Sequence, residues 1–328
     1  MMRAVRLHTY GPPEHLRLEE VPDPRPAEGE VRIDVRASGL QFVDTRLRRG
    51  VGVGPHEPPA LPTIMGDEVA GPVDAVGPGV DPAWIGRRVV AALESGGGYA
   101  ERAVAPLASV HPLPDRLDEA TAVAMITTGA TAVGLLGLAD PGPGDVVLVT
   151  SAAGGIGGLL VQGAKAAGAT VVGVAGGPDK TARVAALGAD VAVDYRRDGW
   201  PEHVAEMLEG RAVTLAFDGV GGQVGRRVLE LLGPGGRLLL HGWSSGEPTA
   251  LTVQDVIERD LRIEWTLGPR LMPDGWRALE TRALEQAARG DLAPLITPFP
   301  FTSADAAHAC LEERRAEGKV VLVRTPGS

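Results

Sequence analysis

Hydrophobic and polar positions alternate with two different periods along this chain, and the change of period marks its organisation. Residues 3–9 (RAVRLHT) and 15–21 (HLRLEEV) alternate as short strands on either side of Gly11-Pro12-Pro13. Pro22 to Pro26 reads as a rigid extended linker. Residues 30–37 (EVRIDVRA) set Val31, Ile33 and Val35 against Arg32, Asp34 and Arg36, the pattern of a half-buried antiparallel strand. Residues 66–80 and 86–93 read as further strands with glycine turns, and Gly97-Gly98-Tyr99-Ala100-Glu101 begins another. Short strands punctuated by Gly and Pro, up to about residue 115, predict a small β-rich barrel.

From about Asp118 the period lengthens. Thr121 to Ala139 is uncharged and nearly long enough to span a membrane, but it carries several Thr and Gly and runs into Asp140-Pro141-Gly142-Pro143. It predicts a buried, interrupted helix at a domain joint. Strands and helices then alternate: strand 145–150, helix 156–167, strand 170–175, helix 179–187, strand 191–194, helix 201–209, strand 213–218, helix 222–232 and strand 236–240. That alternation at crossover lengths predicts an α/β fold with a doubly wound parallel sheet. After Gly246 the pattern gives a strand at 262–267, a helix at 275–289, a helix at 303–313 capped by Ser303, and a strand at 319–324. This tail is expected to return to the first domain.

The most informative stretch is Asp145 to Gly168, DVVLVTSAAGGIGGLLVQGAKAAG. Val146 to Thr150 is apolar and β-branched, and Ser151-Ala152-Ala153-Gly154-Gly155 is a turn of small residues. Ile156, Leu159, Leu160, Gly163, Ala164 and Ala167 then form the apolar or small stripe of a helix, which Gly168 ends in a left-handed cap. Ser151, Gly154 and Gly157 fit S-x-x-G-x-x-G rather than G-x-G-x-x-G, since position 160 is Leu. Strand, tight turn and helix present backbone N–H groups to an anion, here a pyrophosphate; a glycine turn with no ligand is the alternative.

Composition narrows the partners. A length of 328 residues suggests about two domains, and 44% apolar residues suffice for sizeable cores. A formal charge of −10 argues against nucleic-acid binding, and the local cluster Arg46, Arg48, Arg49 is too short to reverse it. The single cysteine, Cys310, allows neither an internal disulfide nor a cysteine-rich zinc site. Residues 1–10 lack the apolar core of a signal peptide, so a cytoplasmic protein without a membrane partner is expected. No two of the seven His form a recognisable pair. His56, on a loop, and His241, at a strand end, are read as structural.

The segments Ser38-Gly39-Leu40-Gln41-Phe42-Val43-Asp44-Thr45, Gly66-Asp67-Glu68-Val69-Ala70-Gly71, Ser151 to Gly157, Phe217-Asp218-Gly219-Val220-Gly221-Gly222, Gly242-Trp243-Ser244-Ser245-Gly246 and Gly318-Lys319-Val320-Val321-Leu322 carry a resemblance. Together they resemble the zinc-independent quinone oxidoreductase branch of the medium-chain dehydrogenase/reductase superfamily. The resemblance implies a GroES-like β-rich catalytic domain over 1–122 and 262–328, a Rossmann NADP-binding domain over 123–261, a site in the cleft between them, and a homodimer. Zinc members of the superfamily have Cys at the Gln41 position and His at the Asp67 position, and this chain has neither. No metal is therefore expected, and hydride transfer to an already electrophilic acceptor is favoured over alcohol oxidation. Asp67 and Glu68 read either as a carboxylate pair or as structural hydrogen-bonding groups.

The resemblance also assigns residues. Strand 170–175 ends in Ala175-Gly176-Gly177, with no acid to meet ribose hydroxyls. Lys180 and Tyr195 match positions that hold the 2′-phosphate of NADPH, assisted by Arg314; Asp179 and Asp194 nearby count against a phosphate. Ser151, Gly154, Gly155, Ile156 and Gly157 form the pyrophosphate turn, while Gln41, Thr131, Val220, Gly242 and Ser244 match positions around the nicotinamide. Gln41 replaces the usual Asn, Arg46 the usual Tyr, and Trp243 the Asn of Gly-Asn-Ser. Gln41, Arg46 and Trp243 are the candidates for shaping the acceptor site, and Arg46 hints at an acidic or polar acceptor. The expected function is an NADPH-dependent reductase of a quinone or α,β-unsaturated carbonyl. An enoyl-thioester or alkenal reductase, and a non-catalytic NADPH-binding sensor or structural protein, are the alternatives.

Overall fold

A computed structural model describes residues 1–54 and 56–324. The chain forms two units: Met1–Gly129 with Glu280–Gly290 and Pro294 onward, and Ala130–Leu279 with Asp291–Ala293. In the first unit, β1 (Met2–Leu7) and β2 (Leu16–Val21) pair antiparallel. They are followed by β3 (Glu30–Asp34), β4 (Ala37–Leu40), β5 (Thr63–Ile64), β6 (Glu68–Val76), β7 (Arg88–Ala92), β8 (Arg102–Pro106) and β9 (Val110–Pro112). The alternation in β3 does what its pattern requires: Val31 and Ile33 are buried against Val69, Val73 and Val89. The strand expected from Gly97 starts later, at Arg102; Ala100 makes only an isolated bridge to Ala4.

In the second unit six strands run parallel: β10 (Val146–Val149), β11 (Thr170–Ala175), β12 (Val191–Asp194), β13 (Val213–Asp218), β14 (Leu232–Leu240) and β15 (Arg262–Trp265), in the order β12-β11-β10-β13-β14-β15. Helices Gly155–Ala166, Pro178–Ala186, Trp200–Met207 and Gly222–Leu231 make the crossovers. Every residue of β10 is buried, as a central parallel strand covered on both faces requires. The order reverses between β10 and β13, where Thr150 N–H donates to Phe217 O at 3.0 Å. In open parallel sheets, ligands bind at the carboxyl ends of the strands at such a reversal.

Two boundaries differ from expectation. The strand expected at the start of the returning tail is instead β15, the sixth strand of the parallel sheet, with Arg237 opposite Arg262 and Leu240 opposite Trp265. Leu261 and Ile263 there pack into the sheet's own core, so the second unit continues past residue 261, to Leu279. The other division falls at Gly129/Ala130 rather than after residue 122. It lies inside the helical stretch Glu119–Ala139, where Met125–Gly129 forms a π turn between two α segments. By length and composition alone this stretch could cross a membrane, but 72% of its apolar window is buried inside the protein, which marks it as a core helix.

The chain returns to the first unit through the helix Trp276–Arg289, then β16 (Ile296–Pro300), the helix Ala304–Glu312 and β17 (Lys319–Val323). β17 pairs antiparallel with β4, setting Val321 opposite Gly39. Ser303 precedes the last helix, but its side chain makes no cap hydrogen bond, because a 3-10 turn, Phe301–Ser303, leads into the helix. Residues 325–328 of the expected C-terminal segment lie outside the described residues.

Candidate active site

The glycine turn is built as its sequence implies. Ser151 adopts a left-handed conformation with φ 49°, and its carbonyl accepts from Gly154 N–H at 2.8 Å. A Cβ on Gly157 would stand 2.2 Å from Ser151 O, so only glycine lets the turn pass so close to the helix. Gly154 is the N-cap and supplies no side-chain cap, leaving the first-turn N–H groups of Gly155, Ile156 and Gly157 uncapped by any side chain among the described residues. Such an N-terminus suits a pyrophosphate.

At the carboxyl end of β11, Asp194 Oδ1 accepts from Gly177 N–H at 2.9 Å and from Arg196 N–H at 3.0 Å. This holds the chain after β12 against the chain after β11. A Cβ on Gly176 would lie 3.0 Å from the Tyr195 hydroxyl, and one on Gly177 would lie 2.1 Å from Arg196 Nη2. Two donors, one cationic, therefore converge on a glycine pair at the place where an acid would meet ribose hydroxyls. Lys180 stands in the first turn of the next helix, Pro178–Ala186. Asp194, expected to count against a phosphate, is occupied by these backbone donors, which hold its pKa down despite the opposing effect of partial burial. Arg314 lies in the first unit, with its guanidinium 4.3 Å from the centroid of Phe42.

At the ends of β13 and β14 the hub is Asp218, fully buried. Its Oδ1 accepts from Thr150 Oγ1 and Val220 N–H at 2.9 Å, and its Oδ2 from Thr249 Oγ1 at 2.6 Å. The two following loops are tied together: Ser244 N–H donates to Gly219 O at 3.0 Å, and Ser245 N–H to Val220 O at 2.9 Å. The loops that carry Val220, Gly242 and Ser244 are thus brought side by side. Trp243 is half-buried and stacks at a tilt on Trp265, 5.2 Å between ring centroids. Thr131 is buried in the helix Ala130–Ala139.

The first unit contributes a different constellation. Gln41 caps the helix Phe42–Arg48: its N–H donates to Asp44 Oδ2 at 2.7 Å. Its side-chain Nε2 donates to both oxygens of Asp67 at 3.3 Å and to Glu68 Oε1 at 3.4 Å. Lys319 Nζ sits 2.6 Å from Glu68 Oε2, an ion pair lacking hydrogen-bond angles, with both side chains buried. Burial raises the Glu68 pKa against the pull of Lys319, with Asp67 adding to the rise. Burial, then the Asp67 charge, push Asp44 well above the carboxylate range. Asp67 and Glu68 are therefore joined through Gln41, and Glu68 has a structural partner. Arg46 is half-buried and makes no ion pair with a described residue.

Three features escaped sequence reasoning. Asp218 lies in a motif that carries the resemblance, but nothing local shows that it gathers two hydroxyls and two backbone groups. Arg196 follows Tyr195 directly, and the Gly176-Gly177 pair was the available sign that something packs there. Lys319 pairs with Glu68 only because β17 returns to β4.

Comparisons with known proteins fit this architecture. Residues 27–115 match the family model of the alcohol dehydrogenase GroES-like domain, and residues 155–285 that of the zinc-binding dehydrogenase. A quinone oxidoreductase of Pseudomonas aeruginosa is 31% identical, over 98% of this chain and 100% of the relative. A 2-haloacrylate reductase of a Burkholderia species is 30% identical, over 98% of this chain and 99% of the relative. Among solved structures, Escherichia coli quinone oxidoreductase complexed with NADPH superposes with TM-score 0.86 at 29% identity, covering 98% of this chain and 100% of that one. An NAD-dependent alcohol dehydrogenase superposes with TM-score 0.87 at 32% identity, covering 99% and 100%. The chain belongs to the medium-chain dehydrogenase/reductase superfamily, in its quinone oxidoreductase branch, and is an oxidoreductase.

Proposed function

We propose that this protein is an NADPH-dependent reductase that delivers hydride, without a metal, to a quinone or an α,β-unsaturated carbonyl. The observation that carries the cofactor reading is the convergence of the Tyr195 hydroxyl and the Arg196 guanidinium on Gly176-Gly177, with Lys180 in the adjoining helix turn. A 2′-phosphate is recognised by such cationic and hydroxyl donors, whereas free ribose hydroxyls call for an acid that the end of β11 lacks. The uncapped helix after Gly154 and the crowding at Gly157 suit the pyrophosphate. Bound NADPH supplies the hydride from C4 of its nicotinamide. This chain's residues bind and orient it: the turn holds the phosphates, and the loops fixed by Asp218 set Val220, Gly242 and Ser244 in place. Asp67 and Glu68 both accept from Gln41 Nε2, and the three lack the thiolate and imidazole of a zinc site. No Lewis acid is needed for an acceptor that is already electrophilic.

Purified protein is tested by NADPH oxidation at 340 nm against a benzoquinone, a naphthoquinone, an alkenal, an acrylate and crotonyl-thioester. Turnover on a quinone or enone supports the reading, while tight NADPH binding with no turnover on any of them rejects it. The likeness to quinone oxidoreductases supports the quinone arm and the likeness to 2-haloacrylate reductase the unsaturated-carbonyl arm; the half-buried Arg46, without an ion pair among the described residues, suits a charged acceptor of the second kind. A homodimer belongs to the same reading. It is supported by β15 at the edge of the parallel sheet and by Val253, Ile257 and Trp265, which are 74%, 70% and 49% exposed nearby in sequence. Sedimentation of the protein as a monomer would reject it. A cytoplasmic setting, suggested by the lone buried cysteine, completes the reading.

A further inference from the structure

Of the five tryptophans, Trp265 is the exposed one, at 49%, and it stands at the last position of β15. Trp243 stacks beside it, on the loop that follows β14. Backbone contacts brace both residues. Thr266 N–H and the Thr266 hydroxyl donate to Leu240 O at 3.0 and 2.9 Å, which ties the chain leaving β15 to the end of β14. Gly246 N–H donates to Trp243 O at 2.9 Å, and the same loop is held to Gly219 and Val220 through Ser244 and Ser245. A Cβ on Gly221 would stand 2.9 Å from Trp243 Cβ, so a glycine there lets the loop after β13 close on Trp243. The two indoles form a braced platform at the carboxyl ends of β14 and β15, with much of Trp265 open. Leaving so large an apolar side chain about half exposed forgoes burial that a fold normally takes.

We propose that the Trp243–Trp265 pair is an acceptor subsite: it stacks a planar, electron-poor ring system conjugated with the reducible carbonyl, of the size of a naphthoquinone. The proposal rests on the dinucleotide reading above. In that reading the pyrophosphate turn follows β10, and the donors for the phosphate stand at the ends of β11 and β12. A dinucleotide spans the two halves of a doubly wound sheet across the point where the strand order reverses, so its other nucleotide lies over the ends of β13 and β14. An acceptor must touch that nucleotide to take its hydride, and the indoles flank the same end of the sheet. The face of an indole is rich in π electrons and a quinone ring is poor in them, so the two stack favourably when offset. A short aliphatic enone offers no ring face to stack. Trp243 joins Trp265 to the loops of the candidate site, which makes an acceptor, rather than a second copy of the chain, the occupant.

Two measurements test this. NADP+-loaded protein, which has no hydride to give, is titrated with 1,4-naphthoquinone and followed for the long-wavelength charge-transfer absorption of a stacked indole and quinone. Steady-state kcat/KM with NADPH is compared for 1,4-naphthoquinone and an aliphatic enone, in wild type, Trp265→Leu and Trp265→Phe, with the sedimentation and melting temperature of each. Wild type is expected to show the absorption band. Trp265→Leu is expected to weaken it and to lose roughly three- to tenfold in kcat/KM for the naphthoquinone, against at most about twofold for the enone. Trp265→Phe, which keeps a ring face, is expected to recover much of that loss. No band in wild type, an undiminished band in Trp265→Leu, or equal losses on both acceptors overturns the proposal and leaves the NADPH reading intact. So does a Trp265→Leu variant that sediments as a smaller species with both acceptors unchanged, which gives the ring to a subunit contact. Failure of wild type to bind NADP+ or to turn over either acceptor overturns the functional reading as well. If Trp265→Leu does not fold, the wild-type band and the same comparison in Trp243→Phe decide.

Discussion

Lys319, at the start of β17, lies 2.6 Å from Glu68, at the start of β6, and both side chains are buried. A Cβ on the adjacent Gly39 of β4 would collide with Glu68 Oε2, so the pair occupies space that only glycine leaves. Lys319→Met strands a carboxylate inside the first unit and is expected to destabilise the protein by roughly 3–5 kcal/mol at neutral pH. Urea denaturation measures this. The deficit should shrink as the pH falls and Glu68 takes up a proton, and pairing Lys319→Met with Glu68→Leu should recover most of it. A Lys319→Met variant as stable as wild type would show that the pair is dispensable.

Arg196 and Gly177 share one space beside Tyr195. Arg196→Gln is expected to weaken NADPH binding by about tenfold and to leave NADH binding unchanged, as loss of one charge-assisted contact predicts. Isothermal titration with both nucleotides checks this, and equal losses for the two would move Arg196 away from the phosphate. Gly177→Ala forces a side chain onto a φ of 103° and is expected to cost about 1–3 kcal/mol of stability, besides impairing NADPH binding.

Arg46 is tested on the acceptor panel. Arg46→Gln should lower kcat/KM for a negatively charged acrylate by about tenfold or more, while leaving a neutral benzoquinone within about twofold. Parallel losses on both acceptors would make Arg46 structural.

Acid stability carries a sign that can be checked. The folded-state pKa of His241 is lowered to about 4, so its contribution is complete above the ordinary histidine pKa of 6.5 and is lost as the pH falls toward 4. In that window the unfolded chain takes up a proton that the folded chain refuses. His308 behaves likewise: burial, then the Arg48 charge, lower its pKa to about 3. The raised carboxyls Asp44 and Glu68 act in the opposite sense, so the comparison is made against His241→Phe. The pH dependence of its urea midpoint between 6.5 and 4.5 should correspond to about one proton fewer taken up on unfolding. An unchanged slope would contradict the neutral, buried imidazole.

The parallel sheet was legible because its signals are local. Unbroken apolar runs such as Val146 to Val149, glycine turns and crossover-length helices need no tertiary knowledge. The Ser151–Gly157 turn was legible for the same reason. The assignment of β15 was not: Arg262 to Trp265 is a short strand with charges at alternate positions, and only its pairing with β14 shows which sheet it joins. The widened turn at Met125–Gly129 had only Thr and Gly to announce it. In the site, residues named through motifs gather by unit: the loops of Val220, Gly242 and Ser244 together, and Gln41 with Asp67 and Glu68. The roles of Arg196 and Asp218 depend on contacts between strand ends far apart in sequence, which no single stretch displays.

The central claim, that this oxidoreductase takes its hydride from NADPH, is tested most directly by the ratio of kcat/KM for NADPH and NADH with one fixed acceptor. The acceptor is the one giving the highest turnover on the panel. The donors around Gly176-Gly177 predict a preference for NADPH of roughly tenfold to a hundredfold, the range expected for one or two charge-assisted contacts to a phosphate. Equal use of the two nucleotides, or a preference for NADH, would contradict it.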